Sequence, residues 1–131
     1  MKADVIPNDF RQPLIVHSFY IILCVAWNAI GLLLLSNGQQ PIGPTASAPV
    51  IATLLGFLGL LIISANKRWR LPYLLISSLL LFAAVSAIVG GFTKSADFWP
   101  SEFWRYAGIV LNLIGVVSFF IAFNALRNSK H

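Results

Sequence analysis

Four long apolar runs without any charged residue dominate the chain, at 14–35, 48–65, 71–91 and 106–126. Each run is close to the roughly 20 residues that an α-helix needs to cross about 30 Å of hydrocarbon. Because the backbone must satisfy its own hydrogen bonds in lipid, such runs form helices, and they lack the period-two alternation of a membrane barrel. The pattern predicts an all-α membrane protein, in which residues 1–131 form a single domain with four transmembrane helices in a compact bundle.

The segments between the runs carry turn and cap residues. Ser36-Asn37-Gly38 is suited to the end of the first helix, and 66–70 is a tight basic turn before the third. Gly90-Gly91 closes the third helix, and Ser101 is a plausible N-cap for the fourth. The connections therefore favour two helical hairpins.

Lysine and arginine are distributed unequally between the two sides of the predicted bundle, and the side richer in them usually faces the cytoplasm. One side carries seven of these residues and the other only two. The first set comprises Lys2, Arg11, Lys67, Arg68, Arg70, Arg127 and Lys130, and the second Lys94 and Arg105. We therefore expect both termini to lie in the cytoplasm.

Aromatic residues mark the predicted membrane boundaries. The rings of Trp and Tyr favour the interface, because the ring stays apolar while its N–H or O–H reaches water. The candidate interfacial anchors are Trp69, Trp99, Trp104 and Tyr106. The cluster of aromatic residues over 97–106 has a second interpretation, as a docking surface for a partner or a lipid.

Small and polar residues form one stripe on each predicted helix. Helices in lipid approach closely through small residues and interhelical hydrogen bonds. The candidate helix–helix contact residues are Asn28, Gly31, Gly56, Gly59, Ala83, Ala87, Gly91, Gly108, Asn112 and Gly115. Asn28 and Asn112 lie deepest, and we expect Asn28 to bond across to the fourth helix.

Composition supports membrane placement and limits the chemistry. The chain is 58% hydrophobic and 10% charged, against roughly 45–50% and about 25% in soluble domains. Its net charge of +5 is explained by the cations beside the apolar runs, so no nucleic-acid partner is expected. The single cysteine, Cys24, lies in an apolar run and is interpreted as a packing residue.

Residues that could carry catalysis or hold a cofactor are few. His17 is interpreted as a polar residue near the cytoplasmic boundary, and only His131 could join it in a bis-histidine heme site. No nucleotide-binding glycine loop, zinc motif or nucleophile elbow is present, and no apolar run contains the acidic residue that coupled carriers use. We expect no enzymatic activity, no cofactor and no metal.

Two short motifs resemble a known group of proteins. Trp27-Asn28-Ala29-Ile30-Gly31 in the first run and Lys67-Arg68-Trp69 before the third are similar to small uncharacterised four-helix proteins of bacterial inner membranes, some loosely labelled sugar transporters. The resemblance implies a multi-pass protein of the bacterial inner membrane and transfers no functional residue.

Two functions are consistent with the sequence. The first is an accessory or regulatory subunit that acts through protein contacts in the lipid bilayer, with another membrane protein or with itself. The alternative is a small oligomeric uncoupled transporter or channel, with Asn28, Asn112 and Ser118 as candidate residues lining its path.

Overall fold

The computed structural model describes residues 6–127, which form four packed α-helices. A short 3-10 helix, Ala96–Phe98, lies in the connection before the last of them. The helices in chain order are α1 Asn8–Ser36, α2 Ala48–Asn66, α3 Arg70–Thr93 and α4 Glu102–Arg127. All four are long and apolar enough to span a membrane.

The helices extend beyond the apolar runs, most clearly at the start of α1. This helix begins at Asn8 and includes Asp9, Arg11 and Pro13, whereas the apolar run begins at residue 14. Likewise α4 begins at Glu102, with the run starting at 106. Charged residues mark where the hydrocarbon begins, but a helix continues into the interface as long as its backbone hydrogen bonds persist.

The four helices are arranged in a ring, in which each packs on its neighbours in the chain and α4 returns to pack on α1. We call the end with the 37–47 and 94–101 connections the upper end. The two connections touch there, since Gln40 Nε2 donates to the Asp97 carbonyl oxygen at 2.6 Å. The lower end holds the α2–α3 turn, the start of α1 and the end of α4.

The lower half of the bundle contains most of the hydrophobic core. Phe10 of α1 and Tyr73 of α3 meet edge to face, with ring centroids 5.5 Å apart. Leu61 and Leu126 are fully buried beside them. The large side chains fill the space between the helices at this end, so the bundle is closed there.

Helix α2 is attached to the bundle mainly through its lower end. Its buried residues, Leu61, Ser64 and Ala65, all lie in its last two turns. No residue from Ala48 to Leu60 is buried, although several are partly covered. The contact between α2 and α3 is also less extensive than the other three contacts around the ring. The two helices therefore leave a gap in the upper half of the bundle.

The helices α1 and α2 both end in a Schellman motif, which caps their last carbonyl groups. After α1, Gly38 has a φ of 73°, and Gln39 N–H donates to the Leu34 carbonyl at 2.8 Å. After α2, the same role falls to Arg68 with a φ of 58°, and Trp69 N–H donates to the Ser64 carbonyl at 2.8 Å. In the basic turn, a residue other than glycine thus adopts the left-handed conformation.

The outer surface of the bundle is strongly apolar. Phe82 is 75% exposed, Phe103 71% and Leu71 68%, and many other large apolar side chains are uncovered along all four helices. A soluble protein rarely exposes contiguous apolar surface on this scale. The surface is consistent with a bundle of four membrane-spanning helices in which lipid covers these side chains.

Two glycines provide a matched test of this packing. A Cβ atom added at Gly115 on α4 would lie 2.5 Å from Tyr20 Cζ on α1, whereas one added at Gly59 would meet nothing within 4 Å. We expect Gly115→Ala to destabilise the bundle by ~1–3 kcal/mol through overpacking. Gly59→Ala should be neutral or stabilising, because alanine favours the helix. Thermal unfolding in detergent measures both, and equal melting temperatures for the two variants would contradict the α1–α4 packing.

Candidate functional site

A cavity of about 230 Å³ lies in the upper half of the bundle, between the four helices. Helix α1 contributes Tyr20, Trp27 and Asn28 to its wall, and α4 contributes Arg105 and Asn112. The cavity reaches the surface beside α3, since the wall residues Ala83, Ser86 and Ala87 are exposed. Several polar side chains and open space coincide here.

The deepest polar contact in the cavity wall joins α1 to α4. The Tyr20 hydroxyl donates to Asn112 Oδ1 at 2.8 Å, and Asn112 Nδ2 donates to the Gly108 carbonyl one turn earlier at 2.8 Å. Both amide atoms of Asn112 are therefore bonded within the bundle. This arrangement holds the tyrosine ring against Gly115, which has no side chain to displace it.

Asn28 does not bond to α4, and the expectation of a bond across the bundle is wrong. Its Nδ2 donates to the Cys24 carbonyl at 3.0 Å, and its Oδ1 accepts from the Ser47 N–H at 3.1 Å. Ser47 is the N-cap of α2, and its hydroxyl accepts from Val50 N–H. Helix α2 begins beside the upper part of α1. The side-chain amide of Asn28 therefore bonds to the N-terminus of α2 and not to α4.

The 37–47 connection covers the upper end of the cavity. A Cβ atom added at Gly43 would lie 2.8 Å from Trp27 Nε1, so the loop backbone rests on the indole ring. Ile42 beside it is buried, and Trp27 meets Trp104 edge to face at 6.0 Å. The connection is thus a packed part of the site rather than a free loop.

Two cations, Lys94 and Arg105, line the cavity at its upper rim. Arg105 Nε donates to the Gly91 carbonyl at 2.6 Å, which satisfies an acceptor near the end of α3. Its Nη1 also contacts Glu102 Oε1 at 3.3 Å, and its guanidinium carbon lies 5.8 Å from the centre of the Trp99 ring. Lys94 Nζ lies 5.8 Å from the centre of the Phe98 ring.

The candidate helix–helix contact residues fall into separate environments. A Cβ atom added at Gly91 would lie 2.6 Å from Ile109, and one at Gly108 would lie 3.4 Å from Trp27, so these glycines permit contact between helices. Gly31 instead contacts Ala46 of the 37–47 connection. A Cβ atom added at Gly56 or Gly59 would meet nothing within 4 Å, and Ala83 and Ala87 line the cavity.

The candidate interfacial anchors are also divided. Trp69 and Tyr106 are about half exposed, as an anchor requires, and Trp104 is partly covered by Trp27. Trp99 is buried, and it lines the cavity instead of facing the membrane interface. The turn after the 3-10 helix directs this ring inward, where it stacks with Arg105.

His17 is fully buried between the helices in the lower half of the bundle, and its position near the cytoplasmic boundary stays a prediction. Its Nδ1 lies 3.1 Å from the Pro13 carbonyl oxygen and 3.2 Å from the Tyr73 hydroxyl. Helix α1 starts at Asn8, about two and a half turns before His17, so His17 lies well within the helix. Within residues 6–127, His17 Nε2 and the Ser77 hydroxyl have no hydrogen-bond partner.

Tyr20 and the two rim cations were not identified as site residues from the sequence. Tyr20 follows His17 by three positions and precedes Cys24 by four, which places it on the same polar stripe of α1. Lys94 and Arg105 flank a single connection, and that spacing was used only to assign orientation. The sequence therefore indicates both the polar position of Tyr20 and the pair of cations. That they line one cavity depends on how α1, α3 and α4 pack.

The side chains of the cavity wall define the contacts that the site offers. Across residues 6–127, no group of three or more His, Cys, Asp or Glu side chains could hold a metal ion. The wall offers indole rings, amides, a phenol and two cations. Comparison of the chain with protein families, with curated proteins and with solved structures gives no match.

The two asparagines should have separable effects on backbone dynamics. Asn28→Ala removes the acceptor for Ser47 N–H, so we expect hydrogen exchange over the first turn of α2 to become about two- to tenfold faster, since such a bond contributes ~0.5–1.5 kcal/mol. Asn112→Ala is the control, and it should leave that turn unchanged. Hydrogen–deuterium exchange in detergent measures this, and faster exchange at α2 in both variants would contradict the assignment.

Proposed function

We propose that this chain is a non-enzymatic protein of the bacterial inner membrane that acts as an accessory or regulatory subunit through contacts with another membrane protein. The observation that carries the proposal is the uncovered outward face of α2. Ala52 and Gly56 lie four residues apart on this face, both are exposed, and Gly56 has no neighbour within 4 Å of an added Cβ. In lipid, a face of small residues lets a second helix approach closely.

The position of this face supports a partner outside the chain. Gly56 lies two residues from Leu54, which lines the cavity. Two residues correspond to about 200° around the helix, so the small-residue face and the cavity lie on opposite sides of α2. Leu60, one turn further along the outward face, is also exposed. A partner helix would therefore contact α2 without entering the bundle.

An oligomeric uncoupled transporter or channel remains the second candidate function. One observation favours it, because Asn28 and Asn112 line the same cavity, whereas Ser118 lies on an apolar groove between α1 and α4. Phe10, Tyr73 and other core residues fill the lower half, so a path through one chain would require these side chains to separate. A second copy docked on α2 would supply the oligomer that this function needs.

Site-specific photo-crosslinking in cells tests the partner contact. A photoreactive residue at Leu60 should give one discrete crosslinked product, whose mass distinguishes a second copy of the chain from another protein. Gly56→Leu should reduce its yield several-fold by blocking close approach, whereas Ala26→Leu, at an exposed alanine of α1, should not. Equal yields in both variants, or no discrete product, would contradict the proposal.

We further propose that the lower end faces the cytoplasm, with both termini inside. This orientation is supported by five cations of the described chain at the lower end, Arg11, Lys67, Arg68, Arg70 and Arg127, against two at the upper end.

Cysteine labelling in intact cells tests the orientation. In a Cys24→Ser background, which removes the single native cysteine, a membrane-impermeant maleimide should label Gln39→Cys at the upper end. Lys67→Cys in the lower turn should react only after the membrane is permeabilised. Labelling of Lys67→Cys in intact cells would reverse the assignment.

A further inference from the structure

Two positively charged side chains line the upper rim of the cavity, and no acidic side chain is among its lining residues within 6–127. All other lysines and arginines of the described chain lie at the lower end, yet Lys94, directly after α3, and Arg105 from α4 line the same cavity. The acidic groups at this end are Glu102, which bonds to Arg105, and Asp97 of the 3-10 helix, and both are exposed. A cleft lined by like charges beside low-dielectric walls attracts the opposite charge, so the rim is suited to an anion.

Arg105 is held in place for such a contact. Its Nε and Nη1 bond to the Gly91 carbonyl and to Glu102, and the Trp99 ring lies against the guanidinium. Those two bonds use two of the five N–H donors of the group, and the rest can bind a ligand. Lys94 differs, because its stem lies along Gly90 and its ammonium is exposed at the rim. One cation is thus fixed and the other is adjustable.

The position of the cavity opening indicates that the ligand has an apolar portion. Its wall reaches the surface at Ala83 and Ala87, about the middle of α3 and therefore at hydrocarbon depth. The gap between α2 and α3 continues to the upper end, because no residue from Ala48 to Leu60 is buried. A ligand in the bilayer could enter through this gap with its chain still in lipid, whereas a fully hydrated anion could not.

We infer that the cavity binds the anionic headgroup of a single-chain amphiphile, with Lys94 and Arg105 at the headgroup and the chain leaving between α2 and α3. The volume of about 230 Å³ agrees with this choice, since pockets that enclose whole drug-sized ligands measure roughly 300–1,000 Å³. The inference is independent of the proposed protein partner, which would contact the opposite face of α2.

Binding of decyl phosphate to the full chain in neutral maltoside micelles tests the inference. Trp27 and Trp99 line the cavity, so intrinsic fluorescence reports occupancy, and a Trp69→Phe background removes the lower-end tryptophan. We expect saturable binding that Lys94→Gln weakens about tenfold or more, because a contact between charged groups is lost. Lys67→Gln is the matched control, since Lys67 also lies over an aromatic ring but at the lower end.

The alternatives give distinct results. Equal affinity of the Lys94→Gln and Lys67→Gln variants for decyl phosphate would overturn the site, because nonspecific electrostatic attraction to the protein would then explain the binding. Inorganic phosphate that bound as tightly as decyl phosphate would overturn the amphiphile, because the apolar gap would contribute nothing. The melting temperature of Lys94→Gln, whose side chain is exposed, verifies that the variant is folded. None of these results depends on crosslinking at α2.

Discussion

The uneven burial of α2 governs the rest of this structure. Its buried residues all lie between Leu61 and Ala65, so the helix is anchored at one end and stands away from α3 at the other. A bundle packed evenly along its length would have no central space. Here the core closes the lower half, and the upper half retains a cavity that is open to the side. The same anchoring leaves the outward face of α2 uncovered, with Ala52 and Gly56 available for contact.

The two asparagines inside the bundle make different hydrogen bonds, because their neighbours differ. Asn112 joins two helices through Tyr20, while Asn28 fixes the N-cap of α2. Each amide also donates to a carbonyl one turn earlier on its own helix, at Gly108 and Cys24. The NH₂ group thus bonds within its own helix, and the amide oxygen bonds to a partner outside it. The result is a wall in which each of these groups is bonded and the remaining space is lined by indole rings and cations.

The number and type of the helices were predictable, because uncharged runs of this length leave the backbone no other structure in hydrocarbon. The ends of the helices were less predictable, since α1 begins before its apolar run and includes Arg11 and Pro13. On α1 the candidates Asn28 and Gly31 are buried, whereas on α3 the buried positions are Tyr73, Ser77, Leu80, Ala84 and Gly91, which include the candidate Gly91 but not Ala83 or Ala87. Small residues indicate where helices could approach, but the buried face of α3 also carries the larger side chains of Tyr73 and Leu80. The cavity was not predictable, because it depends on the divergence of two helices.

The turn between α2 and α3 places two demands on one residue. Arg68 occupies a left-handed conformation that costs a non-glycine residue roughly 1–2 kcal/mol, whereas α1 ends in the same motif with Gly38. Glycine at position 68 would relieve that cost but would remove a cation from the shortest connection of the bundle, where basic residues have most influence on insertion. A change that makes the finished fold more stable could therefore make its assembly in the membrane less accurate.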